Sequence, residues 1–426
     1  MIKEFYKIES VNGELNLPGD KSISHRAVMF SAMAKGISRI ENLSDGDDVN
    51  STIFCFEKLG VEVERVGKSA IVNGKGFKNF SKPAVPLDAG NSGTTARLIS
   101  GFLAAQNFES TVIGDQSLSK RPMARVIQPL RLMGAKFETN QQETLPLKIL
   151  SGANLNPINY NLPVASAQVK SAILIAALHC DEISSVRDTF FTRDHTERML
   201  GLKVSNDSNS KLIYSSKEFY PRAQEYFVPS DISTASFFIV LALLLKSSEL
   251  KIKNVGLNPS RIGILKVLKE MGADIKSENE RESSNEPIGD IVVKSSQLKN
   301  IEIDEQIIPN IIDEIPILSI AGLFAEGNFK ISNAKELRTK ESDRIKSLCF
   351  NFRMLGLNVD EEESGFSVSG EITNRNPVFE SFDDHRIAMA FSILSLLLKD
   401  GGKINKFECV SISNPNFISQ LKQING

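Results

Sequence analysis

One short signal recurs along the chain and constrains the fold more than any single motif does. An amphipathic helix stops at a Gly that leads straight into alternating apolar and polar residues. It appears as Glu57-Lys58-Leu59-Gly60-Val61-Glu62-Val63 and as Leu132-Met133-Gly134-Ala135-Lys136-Phe137. It returns as Met199-Leu200-Gly201-Leu202-Lys203-Val204, Glu270-Met271-Gly272-Ala273-Asp274-Ile275 and Met354-Leu355-Gly356-Leu357-Asn358-Val359. Each Gly reads as the left-handed residue that closes a helix, and the alternation after it reads as a strand. A second signal interleaves with the first: a buried helix, a short polar turn, then a strand ending near Asn or Asp. It covers 34–42, 105–115, 179–188, 246–254 and 325–333, and it closes at Lys406 after Lys399-Asp400-Gly401. Copies lie about 70 residues apart, too long for a solenoid repeat of about 20–50 residues. Each copy is therefore expected to be a folding unit of several elements. Helix–Gly–strand turns also recur by chance, but six nearly even copies favour a duplicated α/β architecture with three units in each of two domains.

Pro-containing breaks at Leu17-Pro18-Gly19 and Phe227-Val228-Pro229-Ser230 mark the expected crossings between domains. They give an N-terminal domain over 19–228 and a C-terminal domain of 1–18 plus 229–426. The polar stretch Lys276 to Pro287 reads as an exposed loop. Lys plus Arg (50) nearly equals Asp plus Glu (52), which argues against a bulk nucleic-acid binder. The four cysteines are far apart, with no C-x-x-C pair, which excludes a disulfide scaffold and a thiolate zinc site. The histidines are equally dispersed, so no metal cage is visible and no cofactor is expected. The charged start Met-Ile-Lys-Glu-Phe-Tyr-Lys lacks the apolar core of a secretory leader. The longest apolar run, Phe237 to Leu245, is about half a membrane span. A soluble, cytoplasmic protein with small-molecule partners is expected.

Polar residues gather where helices begin. Gly19-Asp20-Lys21-Ser22-Ile23-Ser24-His25-Arg26 offers Asp20 or Ser22 as an N-cap, with backbone N–H groups, hydroxyls and two cations in one place. Asp88-Ala89-Gly90-Asn91-Ser92-Gly93-Thr94-Thr95-Ala96-Arg97 repeats that logic with glycines that allow close approach of backbone. In Arg121-Pro122-Met123, Pro122 suits a first helical position and puts Arg121 at the start of a helix. Ser166-Ala167-Gln168-Val169-Lys170 opens another helix, and Lys170 reads as a solvated cation. In the second half, Asp313-Glu314 precede an apolar helix, where Glu314 reads as an ordinary dipole stabiliser. Lys340 and Arg344 fall at i,i+4 with Glu341 beside them. Asp383-Asp384-His385-Arg386 opens an apolar helix, an odd place for four polar residues unless a ligand is near. The cations Lys21, Arg26, Arg97, Arg121, Lys340, Arg344 and Arg386 call for ligands with several phosphates and carboxylates. Asp313, Glu341 and Asp384 supply proton-transfer candidates.

With these motifs in this order, the chain resembles the 5-enolpyruvylshikimate-3-phosphate synthases, or 3-phosphoshikimate 1-carboxyvinyltransferases, over essentially its whole length. His25 and Asn91-Ser92-Gly93-Thr94-Thr95 resemble the second bacterial class. The resemblance implies an inside-out α/β barrel of the enolpyruvyl transferase type: two similar domains, each of three βαβαββ units. It implies transfer of the enolpyruvyl group of phosphoenolpyruvate to the 5-hydroxyl of shikimate 3-phosphate, with domain closure and no metal. Lys21, Ser22, Arg26, Ser166, Gln168, Asp313 and Lys340 would hold shikimate 3-phosphate. Lys21, Gly93, Arg121, Gln168, Arg344 and Arg386 would hold phosphoenolpyruvate. Asp313, Glu341 and Lys21 would move protons. Glyphosate is an implied inhibitor, and a monomer is expected.

Departures from the family pattern are few. A Lys expected near the C-terminus is absent from Ile412-Ser413-Asn414-Pro415, Thr192 stands for a Ser before Arg193-Asp194-His195, and Asp20 replaces a Ser or Ala. The sister reaction on UDP-N-acetylglucosamine places a Cys before its Arg-Pro motif, whereas Gly114 to Lys120 has none. A non-catalytic anion binder of the same fold would account for the cations but not for Asp313 and Glu341.

Overall fold

The computed structural model describes residues 1–152, 154–374 and 376–425. The chain divides into two compact units. The first comprises Pro18–Pro229 and Glu282–Glu286; the second comprises Met1–Leu17, Ser230–Arg281 and Pro287–Gly426.

The first unit contains α1 (Lys21–Met33), α2 (Asp47–Lys58), α3 (Gly93–Leu103), α4 (Ala124–Leu132), α5 (Ala167–Ala177) and α6 (His195–Leu200). Its three sheets share one topology. In spatial order they run Glu225–Phe227, Lys35–Glu41, Ser69–Lys75, Glu62–Val66; then Leu87–Asp88, Ser110–Ile113, Leu147–Ile149, Phe137–Glu138; then Asn159–Asn161, Ser184–Asp188, Lys211–Ser215, Val204–Asn206. In each, the first pair is parallel and the other two are antiparallel. Such repetition is what the helix–Gly–strand signal encodes. Gly60, Gly134 and Gly201 all have positive φ (89°, 97° and 61°) at the helix ends that the signal marks.

In the second unit lie α7 (Ile232–Leu244), α8 (Gly263–Glu270), α9 (Ile308–Ile311), α10 (Ile315–Phe324), α11 (Arg344–Met354), α12 (His385–Leu397) and α13 (Phe417–Ile424). Asn12–Asn16 runs parallel to Glu249–Gly256, which pairs antiparallel with Glu286–Lys294, with Asp274–Ser283 at the edge. A second sheet joins Phe329–Ile331, Gly365–Ser369 and Asn358–Glu362. A third sets Val378–Glu380 parallel to Gly402–Asn405, whose other side takes the N-terminal Lys3–Phe5 antiparallel. The Asn-type ends of the second signal also have a conformational cause. Asn42, Asn254, Asn333 and Lys406 adopt φ of 52° to 56°, the left-handed region that Asn tolerates better than most residues.

Helices buried on every side form the centre of each unit. All of α7 except Leu244 is buried, and α12 is buried from His385 through Leu396. An all-round apolar helix of this length belongs in a protein interior. In the first unit α3 crosses α5 so closely that a Cβ on Gly101 would lie 2.2 Å from the Ala172 carbonyl oxygen, and only Gly fits there.

One expectation fails in the second unit. Lys276 to Pro287, read as a loop, lies mostly within the paired strands Asp274–Ser283 and Glu286–Lys294. The outer strand is exposed on both faces along most of its length, so no apolar alternation marks it, and its charged residues suit a sheet edge. Among the described residues, no single helix is long and apolar enough to cross a membrane.

Candidate functional site

In the first unit the N-termini of α1, α3 and α5 bring most of the expected anion-binding residues into one connected network. Asp20 caps α1 by accepting from the Ile23 amide at 2.9 Å. Lys21 Nζ pairs with Asp48 Oδ2 at 2.8 Å and stays partly exposed. Arg26 is buried: it donates to Thr196 Oγ1 (2.7 Å), Ser171 Oγ (2.8 Å) and the Ser22 carbonyl (2.8 Å). One N–H on each terminal nitrogen remains for a ligand. Burial lowers the Arg26 pKa to about 10, with Glu197, Asp20 and Glu286 opposing the shift.

Ser92 caps α3 through the Thr95 amide (3.1 Å), which makes Gly93 its first residue. Gln168 on α5 accepts from Arg97 Nη1 (2.5 Å) and donates to Thr94 Oγ1 (3.0 Å), tying the two helix starts together. Arg121 donates to Asn91 Oδ1 at 3.0 Å. A Cβ on Gly93 would lie 2.8 Å from Arg97 Nη1 and 3.4 Å from Arg121 Nη1, so both guanidinium groups converge on this glycine. Ser166 caps α5 through the Val169 amide (3.3 Å) and remains partly exposed.

The second unit gathers its residues around a single guanidinium. Arg344 donates to Asp384 Oδ2 (2.8 Å), Glu341 Oε2 (2.6 Å) and Asp313 Oδ1 (3.2 Å). Burial works against its charge, but Asp384, Glu341 and Asp313 outweigh it and raise the Arg344 pKa. For Asp384, burial favours the neutral acid, yet Arg344 prevails and holds its pKa below the usual value. Lys340 Nζ lies 3.8 Å from Asp313 Oδ1 and 2.7 Å from Glu336 Oε1. Arg386 donates to the Asp313 carbonyl at 3.0 Å. Asp313, Lys340 and Glu341 are partly exposed, whereas Arg344, Asp384 and Arg386 are buried.

Several local readings need correction. Pro122 is not the first helical residue: α4 begins at Ala124, and Arg121 ends the 3-10 turn Leu118–Lys120. Lys340 and Arg344 do not share a helix, because α11 begins at Arg344 and Lys340 is extended; they meet through Asp313 instead. Glu314 does stand at the N-cap of α10, as a dipole stabiliser would, but it is also fully buried, accepts from the Ser233 hydroxyl and lies within 4 Å of Arg261 and Arg386, an ion network that the local sequence does not show. Lys170 is fully buried between Asp188 (2.9 Å) and Glu197 (2.7 Å). Burial alone would lower its pKa, but these two carboxylates raise it. Its partners sit about 20 to 30 residues away in sequence, so no local pattern exposed the triad. Arg193, which no helix start marks in the sequence, is partly exposed and close enough to Arg26 to act on its charge. Near the C-terminus no Lys occupies 412–415; Asn414 is buried there and bonded to Gln420.

This architecture, with buried helices whose polar starts are crowded with cations and carboxylates, is that of the enolpyruvyl transferases. NikO from Streptomyces tendae, an enolpyruvyl transferase, superposes with a TM-score of 0.76 over 99% of this chain and 97% of its own at 14% identity, a likeness of fold alone. EPSP synthase from Acinetobacter baumannii superposes with a TM-score of 0.87 at 40% identity, covering 99% and 98% of the two chains. The 3-phosphoshikimate 1-carboxyvinyltransferase of Petrotoga mobilis is 47% identical over 98% of each chain, and that of Pelobacter propionicus 45% identical over 97% and 96%. The family model for EPSP synthase (3-phosphoshikimate 1-carboxyvinyltransferase) matches residues 5–421, and the chain belongs to that family.

Proposed function

We propose that these residues carry the family's reaction, transfer of the enolpyruvyl group of phosphoenolpyruvate to the 5-hydroxyl of shikimate 3-phosphate with release of phosphate in aromatic biosynthesis. The observation that carries the assignment of roles is the convergence of Asp313, Glu341 and Asp384 on Arg344, with Lys340 and Arg386 alongside. Such a cluster can both grip an anion and hold carboxylates ready for proton transfer.

Lys21, Ser22, Arg26, Ser166, Gln168, Asp313 and Lys340 hold shikimate 3-phosphate; Lys21, Gly93, Arg121, Gln168, Arg344 and Arg386 hold phosphoenolpyruvate. Asp313 accepts the proton of the 5-hydroxyl as that oxygen attacks C2, while C3 gains a proton, giving a tetrahedral ketal. Loss of a C3 proton then re-forms the double bond and expels phosphate. Glu341 serves C3, since it already sits on the guanidinium assigned to phosphoenolpyruvate. A substrate carboxylate that displaces Glu341 from Arg344 would free its carboxylate to take up a proton, deliver it to C3 and recover it when the double bond re-forms. Lys21, with one of its three N–H donors on Asp48, neutralises phosphate and supports proton movement at C3. Fixing two anions side by side removes much of the entropic barrier of a bimolecular step. Glyphosate, a small anion, competes at the phosphoenolpyruvate residues. The protein acts as a cytoplasmic monomer, a state that sedimentation at several concentrations would check.

Asp313→Asn tests the assignment, because it keeps shape and a side-chain oxygen while removing basicity. The expected outcome is a fall of about 100-fold or more in kcat with a near-parental melting temperature and retained phosphoenolpyruvate-site binding. Turnover within a few fold of the parent would transfer the role of base elsewhere, with Glu341 next.

A further inference from the structure

A buried chain of hydroxyl groups runs between the starts of α1 and α3, and His25 heads it. His25 Nδ1 lies 2.6 Å from Thr52 Oγ1, which lies 2.7 Å from Thr95 Oγ1. Thr95 Oγ1 donates to Ser92 Oγ at 2.8 Å and more weakly to the Asp48 carbonyl at 3.4 Å. His25, Thr52, Thr95 and Ser92 are each fully buried. Ser92 is also the cap that accepts the Thr95 amide, so the chain ends on the turn that sets Gly93 and Thr94 in place.

The direction of the chain follows from counting protons. Either acceptor of Thr95 uses its single hydroxyl proton, so Thr52 must donate to Thr95. Thr52 then has no proton left for the ring, and His25 must donate through Nδ1–H. Its Nε2 is left as a buried lone pair with no hydrogen-bond partner among the described residues. An imidazolium would need a second acceptor at Nε2, and burial, then Lys21 and Arg26, hold the His25 pKa well below the usual value. The ring is a fixed, neutral donor.

We infer that His25 is a positioning residue for the phosphoenolpyruvate end of the site: through Thr52 and Thr95 it locks the Ser92 cap and hence Gly93 and Thr94. The inference rests on the assignment of Gly93 and Arg121 to phosphoenolpyruvate. Thr94 in turn receives Gln168, which holds Arg97, and Asn91 beside Ser92 accepts from Arg121, so slack in this turn reaches both arginines over Gly93. His25 reaches no substrate atom itself; its effect travels through hydroxyl groups that a methyl cannot replace.

Two pairs of variants test this. Thr95→Val removes the hydroxyl at constant shape, and Thr95→Ser keeps it; His25→Leu removes the donor, and His25→Asn returns an N–H near the position of Nδ1. The readouts are KM for each substrate, kcat and melting temperature, measured by phosphate release. Thr95→Val and His25→Leu should raise KM for phosphoenolpyruvate about tenfold, the factor for one lost buried hydrogen bond, and raise KM for shikimate 3-phosphate several-fold less, since Gln168 is the one residue assigned to both substrates that bonds to this turn. The Ser and Asn variants should return KM toward the parental value. Both KM values rising by the same factor, a lowered melting temperature with unchanged KM, or a Ser variant that behaves like Val would overturn the inference. If Thr95→Val fails to fold, the His25 pair decides. A parent protein that releases no phosphate in the presence of both substrates would instead refute the assigned reaction and leave the relay geometry as it stands.

Discussion

Gly93→Ala puts one methyl group at the point where the Arg97 and Arg121 guanidinium groups converge. The new Cβ would sit 2.8 Å from Arg97 Nη1, closer than carbon and nitrogen can approach, so the Arg97 guanidinium must move. Arg121 Nη1, at 3.4 Å, needs to give only a few tenths of an ångström. The end of an arginine is flexible, so the steric cost is small. The larger consequence is loss of the 2.5 Å bond from Arg97 to Gln168. A hydrogen bond to a charged group contributes about 1.5–3 kcal/mol, which corresponds to roughly 10- to 150-fold in affinity. Gln168 also donates to Thr94, so the same shift loosens the first turn of α3. The assay is initial-rate phosphate release with phosphoenolpyruvate varied at saturating shikimate 3-phosphate, followed by glyphosate inhibition at fixed substrate. KM for phosphoenolpyruvate should rise by about tenfold, toward the lower end of that range because the guanidinium can find a new partner. Inhibition by glyphosate should weaken further, since the methyl would narrow the space beside the anion site proposed for both ligands. An equal loss for both ligands would refute the steric argument, and an unchanged KM would show that Arg97 and Gln168 do not support this end of the site.

Lys170→Met should strand Asp188 and Glu197 in the interior, and breaking a buried ion network from one side costs about 3–5 kcal/mol. Urea unfolding at neutral pH reads this directly, and a loss below about 1 kcal/mol would contradict the burial argument. His179 provides a pH test: burial, aided by Lys78, pushes its pKa down from 6.5 to about 4, while the Ile175 carbonyl opposes the shift. The unfolded chain therefore takes up this proton first, so stability falls as pH drops from 6.5 towards 4, by about 3 kcal/mol from this group. His179→Phe, which suits the ring cluster of Phe77, Phe102 and Tyr220, should flatten that part of the profile; a parallel acid limb in parent and variant would exclude His179 as its source. Asp384→Asn should destabilise the second unit by removing the carboxylate that holds Arg344 through two nitrogens, and a melting temperature equal to that of the parent would argue against that role.

The fold was legible where backbone chemistry left a mark. A helix that stops in the left-handed region asks for Gly, and a strand that ends there asks for Asn, so Gly60, Gly134, Gly201, Gly272 and Gly356, with Asn42, Asn254 and Asn333, report the repeat directly. The strand Asp274–Ser283 left no mark, because an edge strand exposed on both faces has no apolar alternation to show. The same contrast runs through the candidate site. Lys21 and Arg386 stood out because cations in the first turn of an apolar helix are conspicuous, and Arg121 and Lys340 because each sits in a short stretch dense in polar residues. What escaped was the set of partners that fixes them. Lys170 looked like a surface lysine because Asp188 and Glu197 are remote in sequence, and Glu314 looked like a dipole stabiliser because Ser233 and Arg261 lie on other elements. His25 was visible as a class marker, but its link to Thr52 and Thr95 exists only once α1, α2 and α3 are packed.

The central claim is that this chain joins two anionic substrates and expels phosphate from one only when the other is present. The direct measurement is inorganic phosphate released from phosphoenolpyruvate by purified protein, with and without shikimate 3-phosphate, alongside mass analysis of the product. Release should need both compounds, with one enolpyruvyl ether of shikimate 3-phosphate formed for each phosphate. Phosphate release that proceeds equally without shikimate 3-phosphate, or no release with both present and bound, would contradict that claim.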